Sequence, residues 1–225
     1  MRIRRKKHLK ERLNNVSDIL FVADFDIPNS NLAILDKKYF DFEAMYGNTN
    51  SVCLEIGCGK GLFACESGRL NPNKNYLAVE LLDNIIVMAC ERCKDYKISN
   101  VRFFNCGAEY LPRYIKDGSI STIYLNFSPP FPGDRYENRR LTCDRLMAFY
   151  LRMLINGGEI ELKTDDKEFF EYSFNQMIKF DLDVVDLTEK LACGNVFSVE
   201  TEYEKKFKQD NMRIYYFKTK RKHSN

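Results

Sequence analysis

Three glycines at alternate positions, Gly57, Gly59 and Gly61, follow the acid Glu55, and a second acid, Glu80, ends the next apolar run. Glycine lets a ligand approach the backbone more closely than any side chain would allow. A carboxylate at a strand end can accept both hydroxyls of a ribose. A dinucleotide turn would read Gly-x-Gly-x-x-Gly, but Leu62 stands where its third glycine belongs, so the fingerprint for NAD fails. A second chemical stretch runs Asn126-Phe127-Ser128-Pro129-Pro130-Phe131-Pro132-Gly133-Asp134, with Arg135, Arg139 and Arg140 behind it. Its prolines stiffen the backbone, Phe131 suits stacking on a planar base, and the arginines suit phosphates. The plainer alternatives are a glycine turn used for packing and a proline turn beside a surface arginine cluster.

The elements that must position these residues alternate in type. Val52–Ile56 is a short buried strand, Leu62–Glu66 begins a helix that Asn71-Pro72-Asn73 stops, and Tyr76–Val79 is a second strand closing on Glu80. A helix over Asn84–Asp95, a strand over Val101–Phe104 and its exit turn at Cys106-Gly107-Ala108 follow. Next come a strand over Ser121–Leu125, a long helix over Arg139–Leu154 turned by Gly157-Gly158, a strand over Glu159–Lys163 and a helix over Lys167–Ile178. Leu182–Val185 and Arg213–Lys218 supply the last strands. The pattern predicts an α/β fold with a doubly wound, mostly parallel, seven-stranded sheet. Ligands of such sheets gather at the carboxyl ends of the strands, where Gly57, Glu80, Gly107, Asn126 and Asp165 are expected to converge. Residues 1–50 read as a basic arm and capping segment and residues 51–225 as the catalytic part of a single domain.

With 225 residues, 44% hydrophobic and 30% charged, the chain suits one substantial soluble domain with an appendage. No run of eighteen apolar residues or signal-peptide pattern is present, so no membrane partner and a cytoplasmic location are expected. The eight cysteines read as small buried hydrophobes of a reducing compartment. Cys90-x-x-Cys93 has no matching second pair and the histidines lie in the tails, so no metal is expected. The net charge is only +3, yet Arg2, Arg4, Arg5, Lys6, Lys7, Lys10 and Arg12 crowd one end and Lys218, Lys220, Arg221 and Lys222 the other. That distribution fits a grip on a phosphate backbone as well as two solvated tails.

The turn Glu55-x-Gly57-x-Gly59-x-Gly61 with an acid on the next strand resembles class I S-adenosylmethionine (SAM)-dependent methyltransferases of Rossmann-like fold. SAM has no pyrophosphate to seat, in keeping with the failed NAD pattern. Nearly end to end, the chain further resembles the bacterial tRNA (guanine-N7)-methyltransferases. The matching stretches are Met1–Arg4, Leu54–Gly61, Tyr76–Glu80, Leu125–Ser128, Arg139–Thr142, Lys163-Thr164-Asp165 and Thr201–Phe207. The resemblance implies SAM as cofactor, tRNA as partner, and a monomer or homodimer. Together with the strand-end positions it implies cofactor contacts at Glu55, Gly57, Gly59, Gly61, Glu80, Gly107, Asn126 and Pro129. Substrate contacts are implied at Gly133, Arg139, Arg140, Asp165, Thr201, Glu202, Tyr203 and Glu204.

Three departures stand out. The family's catalytic aspartate is Pro129 here, its substrate lysine is Gly133, and a further acidic cofactor contact is Gly107. N7 of guanine carries a lone pair and no proton, so methyl transfer to it is a direct displacement that depends on alignment and electrostatics. Loss of one carboxylate then costs on the order of a hundredfold to a thousandfold in rate without abolishing the reaction. Asp134, Glu109 and Asp165 are candidates to replace the charge, with Asp134 favoured as the catalytic substitute. Two other readings stand beside methylation of tRNA. One is a tRNA-binding protein of methyltransferase descent that has lost catalysis; the other is a methyltransferase with a small-molecule or different RNA acceptor.

Overall fold

A computed structural model describes residues 7–24, 35–188 and 213–222. The chain forms two compact units, Met1–Tyr114 and Ile115–Asn225.

The first unit runs α1 (Leu9–Asn14), β1 (Leu20–Val22), α2 (Phe42–Tyr46), β2 (Val52–Ile56), α3 (Leu62–Leu70), β3 (Asn75–Glu80), α4 (Asp83–Asp95) and β4 (Val101–Asn105). A 3₁₀ turn (Ala108–Tyr110) and α5 (Leu111–Tyr114) complete it. Its strands lie in the order β1-β4-β3-β2 and all pair in parallel. β2 and β3 are buried along almost their whole length, as strands covered on both faces must be. Leu54, Leu77, Phe103 and Phe104 are fully buried, and each contributes roughly 1.5–3 kcal/mol by leaving water. The capping segment expected over Val16–Asn50 supplies a strand of its own: β1 pairs Leu20 with Phe103 and extends the sheet beyond β4. Phe40 follows it into an aromatic cluster, 4.9 Å from Phe104 and 5.6 Å from Tyr114. The basic arm is anchored where it meets α4, because the Arg12 guanidinium donates to both Glu91 carboxylate oxygens at 2.6 Å.

The second unit runs β5 (Ile120–Asn126), a 3₁₀ helix (Asp134–Arg139), α6 (Asp144–Met153), β6 (Leu154–Thr164), α7 (Lys167–Lys179), β7 (Asp183–Thr188) and β8 (Tyr215–Lys220). The order is β5-β6-β8-β7, with β5 and β6 parallel and β8 antiparallel to both its neighbours. Eight strands are therefore found among the described residues, one more than the seven expected, and the addition is β1.

Two expectations need correction here. The long helix over Arg139–Leu154 is two pieces: the 3₁₀ helix ends at Arg139, and the backbone stays extended at Arg140 and Cys143 before α6 begins. Gly157-Gly158 does not end a helix either, because α6 passes straight into β6 and the glycines lie inside the strand. Between the pairs Ile120↔Leu154 and Thr122↔Glu159, β5 advances two residues while β6 advances five. The surplus forms a bulge. Gly157 takes a left-handed φ of 72° in it, and a Cβ on Gly158 would lie 3.0 Å from the Ile155 carbonyl oxygen.

Candidate active site

In the first unit the carboxyl ends of β2, β3 and β4 carry Gly57, Glu80 and Gly107, in register through the pairs Ile56↔Val79 and Glu80↔Asn105. The turn after β2 is pinned from below: the amides of Gly57 and Cys58 both donate to the Val79 carbonyl, at 2.8 and 2.9 Å. Gly57, Gly59 and Gly61 all take left-handed φ values, 83°, 55° and 74°. They differ in surroundings. A Cβ on Gly57 or Gly59 would meet nothing within 4 Å, whereas one on Gly61 would fall 2.6 Å from the Ala89 Cβ. Gly61 is thus the packing glycine that lets α3 lie close to α4, and Gly57 and Gly59 keep the outer side of the turn open.

Glu80 ties the arrangement together. One carboxylate oxygen accepts from the Gly59 amide at 3.2 Å and the other from the Leu82 amide at 3.0 Å. Each oxygen keeps a further lone pair, so the carboxylate is held rigid and still able to accept two hydroxyls. Glu55 is buried within β2. Cys58, in the turn itself, is buried, and burial followed by the neighbouring Glu55 and Glu80 pushes its thiol well above the usual range, so it stays neutral and unreactive. An open glycine turn with an acceptor-only side chain fixed beside it fits the adenosyl portion of SAM.

In the second unit Asn126 is buried at the end of β5, opposite Lys163 near the end of β6. The Phe127 amide donates to the Lys163 carbonyl at 2.7 Å, and the chain then leaves the sheet through two bulky residues in the left-handed region, Phe127 at φ 49° and Phe131 at φ 46°. Such conformations cost about 1–3 kcal/mol each and persist only where the surroundings impose them. For Phe131 the surroundings are the arginines. Arg140 donates from Nε to the carbonyls of Pro130 and Phe131, at 3.2 and 3.3 Å, and its guanidinium lies 4.3 Å from the centre of the Tyr172 ring. Tyr172 in turn donates to Glu137 at 3.0 Å and accepts from Gln176 at 2.9 Å. Arg139 stacks on Phe131 at 4.7 Å and Arg135 on Tyr136 at 4.5 Å. The expectation that Arg140 serves phosphates meets a guanidinium already engaged in holding the loop.

Pro129, Gly133 and Asp134 are exposed. Asp165 is exposed just beyond β6, while its neighbour Asp166 caps α7 by accepting from the Phe169 amide at 2.8 Å. Thr201, Glu202, Tyr203 and Glu204 lie outside the described residues. Ser128, part of the proline stretch but given no role of its own by the sequence, has a buried hydroxyl with no hydrogen-bond partner among the described residues. A serine before two prolines looks like an ordinary turn residue, and only burial sets it apart. No cluster of three metal-ligating side chains occurs among the described residues, and no helix there is long and apolar enough to cross a membrane.

The β-turn-α-β arrangement, with its open glycine turn fixed by an acid on the neighbouring strand, defines a class I methyltransferase fold. Solved structures share it. The 16S rRNA methyltransferase KamB superposes with a TM-score of 0.62 over 83% of this chain and 95% of its own, at 13% identity. A SAM-dependent methyltransferase from Aquifex aeolicus gives 0.53 over 85% and 98%, at 11% identity. The family model described as "Putative methyltransferase" matches residues 49–217. Among curated relatives, the tRNA (guanine-N(7)-)-methyltransferase of Geobacillus sp. (strain WCH70) is 36% identical over 219 residues, covering 96% of this chain and 93% of the relative. The chain belongs to the tRNA (guanine-N(7)-)-methyltransferase family.

Proposed function

We propose that the protein transfers a methyl group from SAM to N7 of a guanine in tRNA. The observation that carries the reading is the coincidence of near full-length kinship with that family and an open glycine turn locked to Glu80. SAM, when bound, supplies a sulfonium methyl that passes to the N7 lone pair, leaving S-adenosylhomocysteine and a positively charged purine.

The residues divide the work. Gly57 and Gly59 admit the cofactor to the backbone, Glu80 accepts from its ribose, Glu55, Gly107, Asn126 and Pro129 complete its surroundings, and Gly61 serves the turn indirectly by letting α3 pack on α4. The loop from Ser128 to Asp134 presents the base. Phe131 offers a ring that Arg139 already backs, and Arg140 fixes the loop through its carbonyls. No base is needed, because N7 has no proton to lose, so a proline in place of the family's aspartate lowers the rate without removing the reaction. Asp134 supplies negative charge near the developing cation. Gly133, Asp165 and Thr201, Glu202, Tyr203 and Glu204 serve the guanine or its nucleotide, and the basic arm takes phosphates. A protein with these attributes works in the cytoplasm. The curated relatives are named as enzymes, and nothing among them favours a binding protein without catalysis.

The test is direct. Unmodified tRNA is incubated with protein and SAM, digested to nucleosides and separated by liquid chromatography. 7-Methylguanosine above the no-enzyme control is expected; none at high protein concentration overturns the proposal.

A further inference from the structure

Ser128 is only 6% exposed, and among the described residues its hydroxyl makes no hydrogen bond. A buried donor left unpaired is a net loss to the folded protein. Alanine would fill nearly the same space without that loss, so packing gives no reason for serine. The hydroxyl is held in reserve for a partner that comes from outside the chain.

The loop around it limits what that partner can be. Three of the five residues from Ser128 to Pro132 are prolines, which have no N–H, and backbone donors remain only at Ser128 and Phe131. The carbonyls of Pro130 and Phe131 are taken by Arg140. The one side-chain donor in this stretch is the Ser128 hydroxyl, with a single hydrogen to give. The edge of guanine that carries N7 carries O6 beside it, and both are acceptors. Methyl transfer needs the N7 lone pair free. A guanidinium donating to both atoms would hold the base and silence the nucleophile, and Arg139 is engaged elsewhere, lying over the Phe131 ring at 4.7 Å. One hydroxyl hydrogen holds O6 and leaves N7 open.

Access to the covered hydroxyl comes from the backbone. Ser128 is bracketed by Phe127 at φ 49° and Phe131 at φ 46°, and a return of either to an ordinary φ relieves strain. Rotation at these two residues turns the hydroxyl outward beside the exposed Pro129.

We infer that Ser128 holds O6 of the target guanine, turning outward about Phe127 and Phe131 and leaving N7 unpaired for the methyl. The inference rests on the guanine-N7 reading proposed above and adds to it the donor that orients the base.

The test crosses a change in the protein with a change in the RNA. The wild type and Ser128→Ala are each given SAM labelled in its methyl group and a tRNA transcript made with either guanosine or 6-thioguanosine, whose sulfur is a weak acceptor. At saturating tRNA the wild type is expected to work about tenfold more slowly on the thio transcript. Ser128→Ala should be about tenfold slower than the wild type on the guanosine transcript and should treat the two transcripts alike within roughly a factor of two. Its Tm should rise by a few degrees, because the unpaired donor is gone. A purely structural serine would give a lower Tm and no coupling to the RNA. Full rate in Ser128→Ala, an equal thio penalty in both proteins, a wild type indifferent to the exchange, or a lowered Tm overturns the inference and leaves guanine-N7 methylation standing. A wild type that methylates neither transcript overturns both.

Discussion

The glycine turn makes a prediction in which two similar substitutions have opposite consequences. Gly61→Ala places a methyl 2.6 Å from the Ala89 Cβ, 3.1 Å from its Cα and 3.2 Å from the Phe103 ring, at a left-handed φ of 74°. The backbone conformation costs roughly 1–2 kcal/mol for a residue with a Cβ. Two of the three clashing atoms belong to an alanine on α4, which has no rotamer to change, so overpacking adds about 1–3 kcal/mol. Alanine's smaller unfolded-state entropy returns less than about 1 kcal/mol. The net loss is about 2–4 kcal/mol, and at roughly 2–4 °C per kcal/mol for a chain of this size Tm should fall by about 5–15 °C. Gly59→Ala carries the same kind of backbone strain at φ 55° but meets nothing within 4 Å, so its Tm should fall by only a few degrees. Its methyl instead enters the open side of the turn, and affinity for S-adenosylhomocysteine should drop by roughly tenfold or more. Circular dichroism melts and calorimetric titration of both variants are the assays. Equal Tm losses, or a Gly59→Ala protein that binds like the wild type, would refute the division into a packing glycine and a ligand glycine.

Three further outcomes are expected. Glu80→Gln presents an amide nitrogen to one of two backbone donors, Gly59 or Leu82, and S-adenosylhomocysteine affinity by calorimetry should fall about tenfold; an unchanged value contradicts the role given to this carboxylate. Arg140→Gln should lower kcat about tenfold while leaving the salt dependence of tRNA binding unaltered, because the guanidinium holds loop carbonyls; a slope smaller by about one in a filter-binding titration would instead mark it as a phosphate contact. Burial raises the Glu161 carboxyl above its usual range, only partly countered by Lys218, so the folded state holds this proton more tightly than the unfolded state. Stability is then lost as pH rises through the window that begins near the unfolded value of about 4.5. Glu161→Gln, spared that loss, should melt higher than the wild type at pH 7 and no higher below the window; a lower Tm at pH 7 would show that the ion pair outweighs desolvation.

Legibility in the sequence followed the reach of each interaction. The strands at Val52–Ile56 and Asn75–Glu80 and the turn between them are written in local apolar runs and glycine spacing. Leu20–Val22 was harder to read, since three residues become a strand only because β4 offers them an edge. The glycines at 157 and 158 look like a helix stop, yet the pairing of β6 with β5 carries the strand through them, and tertiary pairing overrides the local signal. In the site, glycine at 57 and 59 announced close approach, but glycine at 107 looked like a loss. A Cβ there would lie 2.6 Å from Oε2 of Glu109, and no spacing rule encodes a side chain two residues away folding back. Arg139 and Arg140 were legible as basic residues, while the aromatic rings and carbonyls that engage them became visible only in three dimensions.

The order β6-β8-β7 bears on how the chain is made. β7 is synthesised before its neighbour, and among the described strands it pairs only with β8. Until Tyr215–Lys220 emerge from the ribosome, β7 hangs without a template and the far side of β6 stays unsealed. Val184, Val185 and Leu187 stay exposed even once β8 has paired, so on the nascent chain they add to an unsealed strand edge, a natural target for chaperones and a reason for premature termination in this region to yield aggregates.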